Sequence, residues 1–172
     1  MVEYCKYGVN SMPKKELVIY HSATGNTEKI AKEIASQIDC DLLKINKNDN
    51  PTQGRVSIVV KNVKQIIQRN QFKTDLNNID LSSYNRIYIG SPCWFYTYTP
   101  PIEQFLKTTD YHNNEVVFFL THGGGPRKTI EKFKASMIDG KYIGYMDFEN
   151  VNKMTEENIK KQVNNQLIPF KQ

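Results

Sequence analysis

The sequence predicts an α/β protein in which a parallel sheet is covered by helices on both faces. Short apolar runs that end at polar or glycine residues alternate with segments whose apolar residues recur at helical spacing. The chain has 172 residues and is 39% hydrophobic, which suits one folded domain without disulfide or metal staples. Five strands in strict alternation with helices favour a doubly wound sheet.

We place the start of the domain at residue 16. Residues 1–15 show no periodic pattern, so we expect a frayed N-terminal extension. They contain no continuous apolar run of a secretory signal, and Met12 is a second candidate for the start of translation. Residues 16–172 carry the alternating pattern and form the predicted domain.

The first half of the domain contains two predicted strands and two predicted helices. Residues 17–20 form a short apolar run that predicts a buried strand, and residues 27–38 have the apolar spacing of a helix. Residues 41–45 predict an edge strand. Residues 56–70 are ambiguous because they are rich in β-branched residues, but their apolar positions recur with a period near 3.6 and predict a helix.

The second half continues the alternation. Its predicted elements are a strand at 86–90, a helix from Pro100 and Pro101, a central strand at 116–120, a helix at 127–138 and a last strand at 141–148. Thr155 resembles the N-cap of a final helix. The core face of that helix is predicted to consist of Ile159, Val163, Leu167 and Phe170.

The net charge of +5 comes from one segment. Residues 54–73 carry five of the 23 basic residues and no acidic residue, which leaves 18 basic and 18 acidic residues elsewhere. A solvated helix face is the simpler interpretation, and a docking patch for an acidic partner is the alternative. Nothing resembles a nucleic-acid-binding motif, so we expect no nucleic-acid partner. No apolar run reaches the roughly 18 residues of a membrane span, so we expect no membrane partner.

The cysteines and histidines match no metal-binding pattern. The cysteines are Cys5, Cys40 and Cys93, and the histidines are His21, His112 and His122. Their spacings fit neither a zinc site nor a Cys-x-x-Cys motif, so we expect no metal. An odd number of cysteines without a disulfide framework favours a reducing, cytoplasmic compartment.

Ligands of doubly wound sheets bind where the carboxyl ends of the strands meet, which directs attention to three loops. The loop after the first strand holds the candidate residues Ser22, Ala23, Thr24, Gly25, Asn26 and Thr27. Backbone N–H groups, hydroxyls and a helix N-terminus can cradle a phosphate. The spacing fits neither the Walker A loop nor the GxGxxG fingerprint. An ordinary capped helix is the alternative interpretation.

The loops after the third and fourth strands suggest a flat ligand. The aromatic residues Trp94, Phe95, Tyr96 and Tyr98 cluster in the first of these loops, where they can stack on a planar ring or pack beneath the loop. Three consecutive glycines in the second loop allow close approach of the backbone to a ligand. The candidate residues are Ser91, Pro92, Cys93, Trp94, Phe95, Thr97, Thr121, His122, Gly123, Gly124 and Gly125. For His122, a structural role and a ligand contact both stay open.

At these loops the sequence resembles the flavodoxin family. Residues 22–27 are similar to the family's [ST]-x-T-G-x-T phosphate loop, residues 90–94 to its second loop with a flavin-stacking tryptophan, and residues 121–125 to its third loop. The resemblance extends from Glu16 to the C-terminus. It implies noncovalently bound FMN and a flavodoxin-like strand order of 2-1-3-4-5. Because the last strand leads directly into the last helix, it implies the short-chain type.

The resemblance also implies a role for each loop. Residues 22–27 would hold the FMN phosphate, and Trp94 would stack on the isoalloxazine ring. Pro92, Cys93 and Phe95 would line the edge of the ring through backbone atoms. Residues 121–125 would contact its pyrimidine end.

Three features depart from the electron-transfer flavodoxins. The third loop lacks a tyrosine to cover the second flavin face, which leaves that face to His122, Tyr96 or Tyr98, or open to a substrate. Phe95 stands near a position where many members have glycine, and a peptide flip to positive φ costs more without glycine. The net charge is positive rather than acidic, which predicts a less negative potential for forming reduced FMN.

Two functions follow from the resemblance. The first is electron transfer through FMN with redox partner proteins, whose acidic surfaces could dock on residues 54–73. The alternative is an NAD(P)H-dependent FMN oxidoreductase of the quinone-reductase kind, acting at an open flavin face. The absence of a nicotinamide motif and of an acid–base dyad favours the carrier, and neither role requires a catalytic side chain. Cys93 lines the loop in one interpretation and is a redox thiol in the other.

Overall fold

The described part of the chain forms a six-stranded sheet with helices on both faces. The computed structural model describes residues 15–45, 57–59, 80–112, 114–137 and 139–171. The strands are β1 (Glu16–His21), β2 (Asp41–Ile45), β3 (Ser57–Val59), β4 (Arg86–Pro92), β5 (Glu115–His122) and β6 (Lys141–Glu149). The helices are α1 (Asn26–Ile38), α2 (Pro100–Thr108), α3 (Thr129–Ser136) and α4 (Glu156–Leu167), with 3₁₀ turns at Val151–Lys153 and Ile168–Phe170.

The parallel part of the sheet has the predicted order. The strands lie in the order β3-β2-β1-β4-β5-β6, and the five from β2 to β6 through β1, β4 and β5 are parallel. In sequence order of the parallel strands this is 2-1-3-4-5, so the prediction is confirmed. The winding direction reverses at β1, between β2 and β4. The carboxyl ends of β1 and β4 therefore flank the switch point at which such sheets bind ligands.

Strand β3 corrects two predictions about the region after β2. Residues 57–59 run antiparallel to β2, with Val59 opposite Leu42 and Ser57 opposite Lys44. The helix predicted over residues 56–70 is therefore wrong at 57–59, and the rest of that range lies outside the described residues. The prediction that β2 is an edge strand is also wrong. β-branched residues favour strands where a partner is available, and here β3 pairs with backbone groups that β2 would otherwise expose.

Each face of the sheet has its own apolar core. Val18 and Tyr20 of β1 pack with α1 and α4 on one face, whereas Leu17 and Ile19 pack with α2 and α3 on the other. This alternation follows from the two-residue period of a strand. Residues 116–120 of β5 are fully buried, which confirms the predicted central strand.

The ends of two helices follow the predicted signals. α2 begins with Pro100 and Pro101 in its first turn, where a missing N–H group is tolerated. The side chain of Thr155 accepts a hydrogen bond of 3.2 Å from the N–H group of Asn158 and caps α4. None of the helices in the described ranges is long and apolar enough to cross a membrane.

A buried cation holds the amino edge of the sheet. Arg86, at the start of β4, has a side chain that is only 6% exposed. Its guanidinium donates to the carboxylates of Glu16, at 3.3 Å, and Glu115, at 2.6 and 3.0 Å. It also donates to the carbonyl of Phe170. The group thus joins β1, β4 and β5 to the C-terminal turn, at the edge opposite the three candidate loops.

Candidate functional site

The structure brings the three candidate loops together at the carboxyl edge. The first loop is residues 22–25, the second is residues 93–99 and the third is residues 123–128. The buried hydroxyls of Thr27 and Thr121 are 2.8 Å apart. The N–H group of Cys93 donates to the carbonyl of Thr121 at 2.9 Å. Thr121 therefore connects the base of the third loop to both of the others.

The first loop presents the N-terminus of α1 to its surroundings. Gly25 adopts a left-handed φ of 88°, and its N–H group donates to Ser22 Oγ at 3.1 Å. Among the described residues, no side chain caps the helix, so N–H groups of its first turn are available to an anion. Thr24 is exposed, and a Cβ atom on Gly25 would meet nothing within 4 Å. The loop is open on the side where a phosphate would lie.

Charges beside the first loop are balanced within the protein. Glu28, in the first turn of α1, forms ion pairs with Lys32 at 2.8 Å and Lys44 at 2.7 Å. Hydrogen bonds from these two lysines lower the pKa of Glu28. The carboxylate is therefore an anion held by two cations, which reduces its repulsion of a negative ligand at the helix N-terminus.

The second loop contains a tight turn with two aromatic residues at its tip. Trp94 and Thr97 exchange backbone hydrogen bonds of 2.8 and 3.0 Å. The two residues between them, Phe95 and Tyr96, have φ values of 48° and 63°. Positive φ at both central positions identifies a type I′ turn, which normally contains Asn and Gly. Phe95 thus already has the positive φ that was expected to be costly without glycine. Its side chain is 96% exposed.

The aromatic residues of the second loop lie in different environments. Trp94 is half-buried, and its ring is perpendicular to that of the buried His21 at a centroid distance of 6.2 Å. Tyr98 is instead a core residue that packs against Phe118 and Phe133 at 6.4 Å each. Tyr98 is therefore unsuited to cover a ligand ring, because its side chain is buried in the core.

Two further candidates, Ser91 at the end of β4 and Cys93 in the second loop, have side chains that bond within the protein. The buried Ser91 Oγ accepts the N–H group of Thr99 at 3.0 Å. Cys93 is half-buried, and its Sγ lies 3.1 Å from Thr129 Oγ1 at the start of α3. This contact agrees with a lining role for Cys93.

His122 fixes the third loop from within. Its Nδ1 accepts the N–H group of Gly125 at 2.8 Å, and its Nε2 is 2.5 Å from Asp147 Oδ1. Because Nδ1 is an acceptor, we assign the ring proton to Nε2, which donates to the carboxylate. The side chain is 4% exposed, so both nitrogens are used inside the protein. His122 thereby orients Gly125 and is not placed to cover a ligand ring.

A second hydrogen-bonded pair supports His122 from α4. The side-chain amide of Gln166 accepts the N–H group of Asp147 and donates to its carbonyl, both at 2.7 Å.

The third loop itself is open, because a Cβ atom on Gly124 or Gly125 would meet nothing within 4 Å. A ligand can therefore approach its backbone closely.

Arg127 is a site residue that the sequence did not reveal. Its guanidinium carbon lies 4.4 Å from the ring centroid of Tyr96, so it connects the tip of the third loop to that of the second. An exposed arginine after a glycine-rich run belongs to no motif. Only the folded geometry shows its partner.

Two further features lie apart from these loops. Within the described ranges, no group of three or more His, Cys, Asp or Glu side chains is arranged to hold a metal ion. A polar cavity of about 450 Å³ lies between the end of β6 and α4 and is lined in part by Lys153 and Lys161. None of its lining residues belongs to the three loops.

The family model for flavodoxins matches residues 15–166. The chain belongs to the flavodoxin family. This match covers all six strands of the sheet and all three candidate loops. Among curated proteins, none matches the sequence significantly.

Solved structures share the fold of this flavodoxin-family chain. A flavoprotein from Lactobacillus acidophilus in complex with FMN has a TM-score of 0.57 and 22% identity, covering 78% of this chain and 93% of its own. A flavoprotein from Bacteroides eggerthii has a TM-score of 0.59 and 21% identity, with coverages of 88% and 97%. A WrbA-like flavodoxin from Agrobacterium tumefaciens has a TM-score of 0.55 and 12% identity, with coverages of 88% and 91%.

Proposed function

We propose that this chain binds FMN noncovalently at the three loops and uses it to carry electrons between proteins. The observation that supports this most is the junction at Thr121, which holds the bases of all three loops at the switch point of the sheet. Flavodoxin-family membership and the FMN complex of the Lactobacillus acidophilus flavoprotein agree with it.

The residues present fit FMN in three ways. The uncapped first turn of α1, with Ser22 and Thr24 beside it, suits a phosphate. Half-buried Trp94 suits a flat ring. The open glycines of the third loop leave backbone groups within reach of polar ring atoms. Bound FMN supplies the redox chemistry, and the protein binds, orients and shields it.

Carrier function is favoured over oxidoreductase function by the chemistry of the loops. The described loop residues 22–25, 93–99 and 123–128 contain no carboxylate and no free imidazole that could exchange protons with a substrate. The alternative rests on the exposed Gly123 and Gly124, which provide no side chain to cover the cofactor. We further propose redox proteins as partners, in a reducing cytoplasm. The basic segment proposed for docking, 54–73, lies outside the described residues except at 57–59.

Titration of the purified apoprotein with FMN tests the binding. We expect the visible absorption of the added FMN to shift on binding and the shift to saturate at one FMN per chain. Trp94→Ala should weaken binding about fivefold, because stacking contributes about 1 kcal/mol. Phe95→Ala is the matched control, since this neighbouring aromatic side chain is almost fully exposed. An FMN spectrum that does not change in the presence of the protein, or equal effects of the two variants, would contradict the assignment.

Anaerobic mixing with NADH or NADPH tests the role. A carrier should keep its oxidised flavin spectrum on mixing with either nucleotide alone and lose it when a reductase is added. Rapid bleaching by a nucleotide without a reductase would instead identify an oxidoreductase.

A further inference from the structure

We propose that Tyr96 and Arg127 form a latch across the mouth of the cofactor site, and that Arg127 raises the preference of the site for reduced FMN. The inference rests on the FMN binding proposed above. It concerns side chains at the tips of two loops rather than the motifs that hold the cofactor.

The second and third loops are connected at two levels. At their bases, hydrogen bonds of Cys93 to Thr121 and Thr129 join them at 2.9 and 3.1 Å. At their tips, the contact is the Arg127 guanidinium over the Tyr96 ring, at 4.4 Å. An exposed cation–π contact is weaker than a set of buried hydrogen bonds. The tips can therefore separate while the bases stay joined.

The backbone on both sides of the contact is strained. Phe95 and Tyr96 have positive φ values, and Arg127 has a φ of 42°. Non-glycine residues seldom adopt this region, and such strain persists where the surrounding structure enforces it. Two of these residues, Tyr96 and Arg127, meet at the contact, and Phe95 precedes Tyr96 in the chain. This coincidence indicates that the positions of Tyr96 and Arg127 are specified by the fold.

The charge of Arg127 is distinctive at this edge. In the described loop residues, Arg127 and Lys128 are the cations and there is no carboxylate. FMN gains negative charge when it is fully reduced to its anionic form, so a fixed cation at the mouth stabilises that form more than the oxidised one. A guanidinium stays protonated at all working pH values. Arg127 is held on a ring, whereas Lys128 forms no ring contact within the described ranges.

The test compares Arg127→Gln, Tyr96→Leu and the double variant with wild type. FMN release rates and the potential for forming reduced FMN are measured for each, and Lys128→Gln is the control for an equal change of charge. We expect FMN release to become about threefold faster in Arg127→Gln and in Tyr96→Leu. The double variant should release FMN no faster than either single variant, because all three lose the same contact. Tyr96→Phe, which keeps a ring, should release FMN at the wild-type rate.

The reduction potential of bound FMN shows whether Arg127 acts through its charge or only through its contact with Tyr96. Arg127→Gln should bind reduced FMN about threefold less tightly relative to oxidised FMN, which lowers the two-electron reduction potential by about 14 mV at about 30 mV per tenfold change. Arg127→Lys keeps the positive charge, so its potential should stay close to that of wild type. Equal shifts for Arg127→Gln and Lys128→Gln, or additive effects of the two latch variants on release, would overturn the inference. Wild-type protein that binds no FMN would overturn the proposed function itself.

Discussion

Gly25 is the residue at which the first loop depends most on the absence of a side chain. Its φ of 88° is left-handed, yet a Cβ atom there would meet nothing within 4 Å. Gly25→Ala therefore changes backbone strain alone. We expect it to lower the free energy of unfolding by about 1 kcal/mol and to weaken FMN binding, as measured by urea denaturation of the apoprotein and FMN titration.

Gly124→Ala provides the matched control for that change. Its Cβ atom would also meet nothing, and its backbone lies outside the left-handed region. Its effect on unfolding should stay within about 0.5 kcal/mol. Equal losses of stability in the two variants would contradict the role assigned to the conformation of Gly25.

Cys40 should be an unreactive thiol in the native protein. Burial, with a further contribution from the carboxylates of Glu16 and Asp41, raises the pKa of Cys40 to about 12. Only the thiolate is nucleophilic, so alkylation at pH 8 should be slow and should accelerate as the pH rises towards that value. Mass spectrometry of peptides after iodoacetamide treatment measures this. Equal rates in native and denatured protein would show that the thiol is not protected.

At the residue scale, the sequence predicted the positions of the loops better than the contacts of the individual side chains within them. The loop motifs are local, so their glycines and hydroxyls could be located from spacing alone. The roles of Tyr98 and His122 could not, because they depend on Phe118, Phe133 and Asp147, which are distant in the chain. The type I′ turn was missed because Phe95 and Tyr96 lack the usual Asn-Gly signal.

Among the elements, those with end signals were predicted well and the one without them was not. Pro100 and Thr155 mark helix starts through local chemistry that the sequence displays directly. Residues 56–70 combine a helical period with many β-branched side chains. The conformation of residues 57–59 depends on pairing with β2. Such pairing is nonlocal, so tertiary context overrides the periodicity.

Strands β4 and β5 make a close contact that a single methyl group would disturb. Gly90 lies opposite Phe119 in the register, and a Cβ atom on Gly90 would be 2.0 Å from the ring. We expect Gly90→Ala to destabilise the protein by about 1–3 kcal/mol through overpacking. Phe119→Leu should relieve part of this, so the double variant should lose less stability than the sum. Additive losses in chemical denaturation would rule out the contact as the cause.

In the whole molecule, the two edges of the sheet have different tasks. The amino edge is joined by Arg86, whose ion pairs connect three strands and whose hydrogen bond to the carbonyl of Phe170 adds the C-terminal turn. We expect Arg86→Gln to lower the free energy of unfolding by about 2–3 kcal/mol, because it removes the cation from a largely buried ion-pair network. Its FMN affinity should be unchanged, since the three loops proposed to bind FMN lie at the opposite edge.

Lys107→Gln is the matched control for the loss of an ion pair. Lys107 and Glu103 pair at 2.7 Å on α2, but their side chains are 62% and 47% exposed. Solvent screening limits such a pair to less than about 1 kcal/mol. A smaller loss of stability for Arg86→Gln than for Lys107→Gln in urea denaturation would contradict the structural role of the buried guanidinium.

Strand β3 also determines where the chain can change without disturbing the redox site. Val59 lies opposite Leu42 near the start of β2, and β4 begins at Arg86 on the same amino edge. The connection between β3 and β4 is therefore flanked by two strand ends at the amino edge, opposite the three candidate loops. Most of the basic positions of residues 54–73 fall within that connection. Because both flanking strand ends lie at the amino edge, an exchange of residues 60–79 should leave the strands that carry the candidate loops in place.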